Sequence, residues 1–341
     1  MYRGKSIAVV VPARNESRQI RNVIETMPDF VDKVYVVDDG SSDDTASVVE
    51  SAADSVACDV EVIRHLESRG VGAAIASGYL RARDEEYEVV AVMAGDGQMD
   101  PADLELVLYP VATDLCDYSK GNRFAYRNGF ARIPWIRKLG NFVLSTLTKI
   151  VSGYWHVSDT QCGYTAIGLT ALEQIDIEEI YPRYGCPNDI LVRLNIAGMR
   201  VAEVPVHPLY DVGEQSQMRV PRVVLPILVL LGRRFLYRLT VKYMLHSGHP
   251  LVFAYLFAFV SFLALVPLGF HLIVVYMQTG IIMKAALIIM GFTTTIGVQL
   301  LLTSFWMDAE ANRHLCVNLS PNEIRRLRRG EFIETIPQRQ D

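Results

Sequence analysis

The sequence predicts an α/β domain with a mostly parallel sheet, followed by amphipathic helices and a pair of membrane-spanning helices. Two observations support this prediction. Strand-sized apolar runs alternate with helix-sized stretches through the first part of the chain, a pattern typical of a parallel sheet with right-handed crossovers. Two later runs are almost entirely apolar. The 341 residues, half of them hydrophobic, allow two or three folding units.

Strands and helices alternate regularly at first and less regularly later. Strands are predicted at residues 7–11, 33–37, 60–64 and 89–93, with helices at 18–26, 45–53 and 72–83 between them. Beyond Met93 we expect strands at 117–121, 164–168 and 200–204, and helices at 139–151 and 188–197.

Residues 251–277 and 281–307 are predicted to cross a membrane. The first run has no Asp, Glu, Lys or Arg, and the second contains only Lys284. As helices they would each extend about 40 Å, whereas a hydrocarbon core is about 30 Å thick. Buried core helices are the alternative, but both runs are longer than such helices usually are. Three residues separate the runs, which predicts a tight hairpin.

The basic residues that flank the two runs predict their orientation. Cations precede the first run and follow the second, while the connecting turn has none. The positive-inside rule therefore predicts a multi-pass protein of the cell membrane, with its catalytic domain and both termini in the cytoplasm. The cations are Arg233, Arg234, Arg238 and Lys242 before the hairpin, and Arg313, Arg325, Arg326, Arg328 and Arg329 after it.

These patterns divide the chain into four predicted parts. Residues 1–220 form the α/β domain, 249–308 the hairpin, and 309–341 a basic cytoplasmic tail, of which residues 318–341 are expected to be mobile with a short helix. In residues 221–248, apolar side chains alternate with Arg and Lys. We expect amphipathic helices on the membrane surface there, with ordinary domain-surface helices as the alternative.

Composition excludes several classes of protein. The net charge of −5 gives no basic surface for nucleic acid. Five scattered cysteines without a Cys-x-x-Cys pair argue against a disulfide framework or a zinc site, and indicate a reducing compartment. The start of the chain lacks the pattern of a secretory signal peptide.

Polar loops follow three strands of the predicted sheet. Residues 12–16 follow the first strand, Asp38-Asp39-Gly40 the second and Asp96-Gly97-Gln98 the fourth. Because ligands of open α/β sheets bind at the carboxyl ends of the strands, these loops should face one ligand. We expect Asp39 to bind a base and ribose while Asp38 supports the turn. Asp96 and Gln98, in an extended loop, suit a hard divalent cation such as Mg²⁺ or Mn²⁺.

Three other polar positions have predicted roles. Arg69 stands in a glycine-rich turn that should pack closely against the sheet and leave the side chain facing a phosphate. Its glycine spacing fits a dinucleotide-binding fingerprint poorly, which disfavours a dehydrogenase. Arg123 could neutralise a leaving diphosphate, with an ordinary surface role as the alternative. Asp189 is a candidate helix N-cap or a residue that orients substrate.

In this order, seven segments resemble a membrane-bound glycosyltransferase of family 2 with the Rossmann-like GT-A fold, and within it the dolichyl- or polyprenyl-phosphate sugar transferases. Two departures from the family pattern stand out. Ala94 occupies the first position of the usual Asp-x-Asp, and Tyr210 a position that often holds arginine. The matching segments are 12–16, 36–42, 69–74, 96–98, 121–123, 159–164 and 188–189.

The resemblance implies roles for particular residues. It implies that Asp96 and Gln98 hold Mg²⁺ or Mn²⁺, that Arg123 lies near the phosphates, and that Asp96, Arg123 and Asp189 form the catalytic set. A lipid phosphate would meet Arg123, Arg137 and Arg219, or Arg222 in place of the last. The residues expected to bind the nucleotide-sugar are Pro12, Ala13, Asn15, Glu16, Asp38, Asp39, Gly40, Arg69, Asp96, Gly97 and Gln98.

The implied reaction is transfer of a hexose, with inversion, from a donor of the GDP-mannose or UDP-glucose type to a polyprenyl or dolichyl phosphate at the cytoplasmic membrane face. Its partners are the donor, the acceptor lipid and the bilayer, and a homo-oligomer through the hairpin stays open. A phosphate acceptor is already ionised and needs no strong base. The alternatives are transfer to another membrane or polysaccharide acceptor, and a non-catalytic protein that binds nucleotide-sugar.

Overall fold

The computed structural model describes residues 1–125, 135–209 and 220–328, which divide into two compact units. The first unit comprises Met1–Phe235 together with the chain from His314 onward, and the second comprises Leu236–Arg313. The first unit is therefore built from two separate stretches of the sequence.

The described residues of the first unit form an eight-stranded mixed sheet. Its strand order is β3-β2-β1-β4-β6-β5-β7-β8. Only β6 runs antiparallel to its neighbours β4 and β5, and all other pairs are parallel. The predicted α/β class with a mostly parallel sheet is confirmed. The strands are β1 Ile7–Ala13, β2 Lys33–Asp38, β3 Asp59–Arg64, β4 Val89–Val92, β5 Tyr118–Asn122, β6 Thr165–Gly168, β7 Val201–Pro205 and β8 Cys316–Val317.

Helices cover both faces of this sheet, as an α/β fold requires. Alternate residues of β1 enter separate cores, with Val9 and Val11 on one face and Ala8 and Val10 on the other. The helices of this unit are α1 Ile20–Glu25, α2 Thr45–Ala53, α3 Val71–Asp84, α4 Leu104–Ala112, α5 Trp135–Ser152, α6 Leu169–Gln174, α7 Cys186–Ile196, α8 Val220–Arg238 and α11 Pro321–Arg328; α8 ends in the second unit.

The basic tail after the hairpin contains the expected short helix, α11, and also a strand that was not predicted. β8 pairs in parallel with β7, Val201 opposite Cys316, at the edge of the sheet. Val317, Leu319 and Leu327 pack against the core cluster that contains Val9 and Val11. An edge strand of two residues has no periodicity of its own, so its pairing with β7 could not be predicted from the sequence pattern.

The second unit contains the predicted hairpin. A π-helical stretch, Leu239–His246, precedes α9 Leu251–Thr279 and α10 Lys284–Ala311. Both long helices are apolar and long enough to cross a membrane. Gly280 ends α9 in the left-handed conformation, with φ of 65°. α10 starts later than predicted, at Lys284, and extends to Ala311.

Candidate active site

The loops after β1 and β2 are held together by hydrogen bonds. The Asn15 backbone N–H donates to Ser41 Oγ over 2.9 Å, and its side-chain oxygen accepts from the Ser42 N–H at 2.8 Å. Asn15 has a φ of 59°, a left-handed conformation that asparagine tolerates better than most residues. The Glu16 N–H donates to Thr45 Oγ1 at 2.9 Å. Two of the predicted nucleotide-binding loops thus form one structure.

The carboxyl ends of β1, β2 and β4 lie side by side. The Asp39 N–H donates to the Ala13 carbonyl at 2.9 Å, and the Gly95 N–H to the Pro12 carbonyl at 3.1 Å. Pro12 and Ala13 therefore lie between the loop that carries Asp39 and the loop that carries Asp96. This is the placement that the parallel topology predicts.

The Asp38-Asp39-Gly40 loop is stabilised by a hydrogen bond to Asp38 and by the backbone conformation of Gly40. Asp38 Oδ1 accepts the Ser41 N–H at 2.9 Å and so supports the turn. Gly40 has φ of 66°, and a Cβ there would lie 2.7 Å from the Ser68 nitrogen. Glycine is thus needed both for the backbone conformation and for the close approach of the neighbouring loop.

Asp39 is the organising carboxylate of this edge of the sheet. It is almost fully buried, and it accepts hydrogen bonds from His65 Nδ1, Ser68 Oγ, Arg69 N and Gly70 N at 2.8 to 2.9 Å. Burial raises its pKa, but the His65, Arg69 and Ser68 hydrogen bonds outweigh burial and lower the pKa below the usual value. Through the backbone N–H groups of Arg69 and Gly70, Asp39 fixes the segment from which α3 begins.

The glycine-rich turn packs against a different partner from the one predicted. A Cβ on Gly72 would lie 2.1 Å from the Tyr181 carbonyl oxygen, and one on Gly70 would lie 2.4 Å from the Pro182 carbonyl oxygen. The turn therefore meets the segment that precedes α7, and it is Gly78, further along α3, that approaches Val10 of the sheet. The Arg69 side chain is exposed.

The Asp96-Gly97-Gln98 loop is a tight turn rather than the extended loop expected. Asp96 Oδ1 accepts the Gln98 N–H at 3.0 Å, and Gly97 has φ of 69°. The Gln98 carbonyl accepts the Leu209 N–H at 3.0 Å, which attaches the chain after β7 to this turn. A carboxylate and an amide oxygen two residues apart are donors of the type that Mg²⁺ or Mn²⁺ prefers.

A second group of potential metal ligands is formed by residues from two distant parts of the chain. Asp100, Asp103 and His207 have potential ligand atoms within 4.8 Å of one another. Asp100 also accepts the Ala102 N–H at 3.0 Å, and Asp103 accepts both the His207 N–H and its Nδ1, the latter at 3.2 Å. Those hydrogen bonds give the group a structural role in joining the chain after β7 to the turn before α4. Residue spacing could not reveal it.

Arg123 is held rigidly at the end of β5. Asp159 accepts its backbone N–H, Nε and Nη2 at 3.1, 2.8 and 3.0 Å. Asp159 is fully buried, whereas the Arg123 side chain is 32% exposed. Burial raises the pKa of Asp159, but the hydrogen bonds and charge of Arg123 and the charge of Lys120 lower it overall. The guanidinium is thus placed in advance for an anion.

The loop that contains Asp159 depends on two residues that the sequence did not single out. Glu203 Oε1 accepts the N–H groups of Ser158 and Asp159 at 2.7 and 2.8 Å. Lys120, fully buried in β5, donates to the Cys162 carbonyl, and its burial lowers its pKa. Both residues lie within strands, where charged side chains give no pattern that marks a site.

Asp189 does not have the predicted N-cap role, and its predicted role in orienting substrate stays a prediction. α7 begins at Cys186, so Asp189 is not the N-cap, and its side chain is fully buried. Its Oδ2 accepts the Tyr181 N–H at 2.8 Å and Arg193 Nε at 3.1 Å, and Arg234 of α8 also pairs with it. A buried carboxylate paired with two guanidiniums positions its neighbours and is poorly placed to accept a proton from substrate.

Three residues predicted to meet the lipid phosphate have side chains outside the described part of the molecule: Arg137, Arg219 and Arg222. Arg219 belongs to residues 210–219, whose structure is not described, and Tyr210 falls there too. Arg137 and Arg222 lie within α5 and α8, but their side chains are also outside the described set. Their predicted role stays a prediction.

Comparison with known proteins relates the chain to sugar transferases. The model of the family "Glycosyl transferase family 2" matches residues 8–176. A UDP-N-acetylglucosamine–dolichyl-phosphate N-acetylglucosaminyltransferase of Methanococcus voltae is 28% identical over 247 residues, 69% of this chain and 95% of the relative. An undecaprenyl-phosphate mannosyltransferase of Micrococcus luteus is 28% identical over 203 residues, 59% of this chain and 82% of the relative.

A third relative and a solved structure extend the comparison. An uncharacterized protein of Methanocaldococcus jannaschii is 30% identical over 219 residues, 64% of this chain and 86% of that protein. Glucosyl-3-phosphoglycerate synthase of Mycobacterium tuberculosis, solved with Mn²⁺, UDP-glucose and phosphoglyceric acid, superposes with a TM-score of 0.53 at 19% identity, covering 68% of this chain and 80% of that one. That likeness shows the GT-A type of fold, as the resemblance implied. The chain is a glycosyltransferase that belongs to family 2 and is related to the dolichyl- and polyprenyl-phosphate sugar transferases.

Proposed function

We propose that this enzyme transfers a hexose unit from a nucleotide-sugar to a polyprenyl or dolichyl phosphate at the cytoplasmic face of the cell membrane, with inversion at the anomeric carbon. The related enzymes whose names include a lipid phosphate support this acceptor class. The donor base and sugar are left at the level of GDP-mannose or UDP-glucose type, with the N-acetyl sugar of the M. voltae relative as a third option.

One observation carries the choice of acceptor: the carboxylate of Asp189 is buried and paired with two guanidiniums. Transfer to a sugar hydroxyl requires a base that removes a proton from the attacking oxygen. Asp189 pairs with Arg193 and Arg234 and has no exposed surface at which a substrate hydroxyl could reach it. A lipid phosphate is already ionised at neutral pH, so its attack on the anomeric carbon needs no such group.

The remaining roles follow from the position of each group. The joined loops around Pro12, Asn15 and Glu16 would receive the nucleotide, and Asp39 would support it by holding the Ser68–Gly70 backbone in place. Arg123, prealigned by Asp159, would stabilise the charge on the departing diphosphate. Asp96 and Gln98 would hold Mg²⁺ or Mn²⁺, which, when bound, supplies a positive charge beside the diphosphate. Arg137 and Arg219 are proposed contacts of the lipid phosphate.

The exposed side chains of α8 support the proposed location. Val224, Leu225, Leu228 and Val229 are 41% to 67% exposed, although Ile227 on the same helix is buried. A domain-surface helix normally exposes a polar face, whereas α8 is apolar on both sides. We propose that this exposed face lies in the membrane surface, with α9 and α10 spanning the bilayer and the flanking cations in the cytoplasm. A homo-oligomer through the hairpin is compatible with this arrangement.

Lipid labelling tests the proposal. Membranes containing the full chain are incubated with a panel of labelled nucleotide-sugars, polyprenyl phosphate and Mg²⁺ or Mn²⁺, and the lipids are extracted. We expect one donor to label the lipid. Asp96→Asn should lower the rate about a hundredfold and raise the metal concentration needed, because a charged ligand is lost. Asp54→Asn, at an exposed carboxylate after α2, is the matched control and should change little. No labelled lipid with any donor would refute the proposal.

Ala94 favours one competing function. It occupies the position where the family often has aspartate, which leaves Asp96 as the sole carboxylate of that motif. A non-catalytic membrane protein that binds nucleotide-sugar would bind the donor in a metal-dependent way but release no nucleotide. If the acceptor were instead a polysaccharide, label would appear in polymer rather than in the lipid extract. The same incubation separates all three outcomes.

A further inference from the structure

A fully buried ion pair lies at one end of the hairpin and has no part in the proposed chemistry. Arg238 Nη1 and Nη2 each donate to one oxygen of Asp308 at 3.0 Å, and neither side chain has exposed surface. Arg238 is the last residue of α8, and Asp308 follows directly after the predicted second span. The pair therefore joins the chain that enters the hairpin to the chain that leaves it.

Three further side chains complete a network that we name the hairpin clasp: Arg238, Lys242, Tyr243, Asp308 and Asn312. Tyr243 Oη donates to Asp308 Oδ1 at 2.6 Å, and Asn312 Nδ2 donates to Tyr243 Oη at 2.7 Å. Lys242 Nζ donates to Asn312 Oδ1 at 2.8 Å. The Arg238 guanidinium also lies 5.5 Å from the centre of the Tyr243 ring.

Stability alone explains the clasp poorly. Desolvation of two charges offsets much of their attraction, so apolar residues of similar volume would hold a helix pair at least as well. A charged pair without exposed surface is costly to desolvate, and buried ionic groups can serve to specify one arrangement of their elements. A bidentate pair fixes both the distance and the angle between its elements. Lys242 and Tyr243 lie in a π-helical stretch, a geometry that is rare and frequent at functional sites.

We propose that the clasp residues are positioning residues for reaction with a membrane-embedded acceptor. They fix the geometry with which the chain enters and leaves the hairpin, at the end of the hairpin where a phosphate held at the bilayer surface would lie. A short acceptor dissolved in water can diffuse to the site from any direction and does not need this constraint. The inference rests on the proposed function above, because it assumes a lipid phosphate acceptor.

Two acceptors offered to the same proteoliposomes test the proposal. The full chain is reconstituted, and transfer rates are measured to a long-chain polyprenyl phosphate in the bilayer and to a short-chain, water-soluble prenyl phosphate. Asp308→Asn should lower the ratio of the long-chain to the short-chain rate at least about tenfold, since a buried guanidinium loses its partner. Tyr243→Phe, which keeps the ring and removes the hydroxyl, is the milder variant and should lower the ratio in the same direction.

Controls make each outcome decisive. Glu310→Gln changes a carboxylate on the same helix whose side chain is 59% exposed, and it should leave the ratio unchanged. An equal loss of both rates in Asp308→Asn and Tyr243→Phe would mean that the clasp only stabilises the protein, and would overturn the proposal. If Asp308→Asn fails to reconstitute, the ratio for Tyr243→Phe decides.

A second measurement does not depend on activity. Trypsin cleaves after Arg238 and Lys242, and an intact clasp should protect both bonds in proteoliposomes. Tyr243→Phe and Asp308→Asn should raise the cleavage rate there, by about tenfold or more for Asp308→Asn, while Glu310→Gln should not. If cleavage after Arg238 and Lys242 were equally slow in the variants, the clasp proposal would be overturned, whether or not the unmodified protein transfers sugar. A lack of sugar transfer by the unmodified protein would instead refute the proposed function.

Discussion

The Arg123–Asp159 pair allows a stability and activity prediction with a closely matched control. In Arg200–Asp117, a backbone N–H, Nε and Nη2 of one arginine likewise bind one aspartate, at 2.6, 3.2 and 3.0 Å. The two pairs differ in burial. Asp159 has no exposed side-chain surface, whereas Asp117 and Arg200 are 28% and 41% exposed. Replacing each aspartate by asparagine therefore separates the effect of burial from that of bonding geometry.

The expected magnitudes follow from that difference. Asp159→Asn removes the charge from a buried pair and presents an amide N–H₂ to Arg123, which should cost about 3 kcal/mol of unfolding free energy. Asp117→Asn breaks a largely solvated pair and should cost about 1 kcal/mol or less. For a domain of this size these values correspond to a decrease in Tm of about 6–12 °C and of about 4 °C or less.

Thermal unfolding of the full chain in detergent, followed by tryptophan fluorescence, measures both decreases. In parallel, transfer of label to lipid should fall about a hundredfold for Asp159→Asn, because Arg123 is no longer held beside the diphosphate, and by less than about twofold for Asp117→Asn. Equal decreases in Tm for the two variants would show that burial does not set the strength of these pairs. A normal transfer rate in Asp159→Asn would remove Arg123 orientation from the mechanism.

Two further predictions concern the donor-binding edge of the sheet. Gly72→Ala should lower the Tm by several degrees and weaken donor binding, because its Cβ would lie 2.1 Å from the Tyr181 carbonyl oxygen. The control, Gly232→Ala, has open space around the new methyl group and should leave both the Tm and donor binding unchanged or raise the Tm slightly. Equal effects of the two substitutions would contradict the packing argument. The lowered pKa of Asp39 means that its ionised form stabilises the fold above the ordinary aspartate pKa and that this contribution disappears as the pH falls through the lowered value. Tm measured from about pH 6 to about pH 3 should therefore fall less steeply in Asp39→Asn than in the unmodified protein, and parallel curves would refute the assignment.

The sequence predicted the elements of the fold well because each strand is a local apolar run. β2 is buried along its whole length, and its apolar residues can be recognised without knowledge of their partners. The support of the second loop by Asp38 was also predictable, since Asp-Asp-Gly after a strand is local turn chemistry. The predicted alignment of the β1, β2 and β4 loops needed only the rule for parallel sheets.

The partners of particular side chains could not be predicted, because they come from distant parts of the chain. The carbonyls that require glycine at residues 70 and 72 belong to residues 181 and 182. The pairing of Asp189 with Arg234 could not be predicted, because in the sequence Arg234 is only one of several membrane-flanking cations. Long-range pairs of this kind leave no periodicity in the sequence, so they appear only once the chain is folded.

The division of the first unit into two sequence segments affects how the enzyme can be made in the cell and in the laboratory. The last strand of the catalytic sheet is synthesised only after the hairpin. A nascent chain that has reached Phe235 still exposes the edge of β7 and the apolar surface that Val317, Leu319 and Leu327 later cover. In the proposed topology, membrane insertion therefore precedes completion of the catalytic domain. An enzyme obtained by ending the chain before the hairpin would lack part of its own sheet.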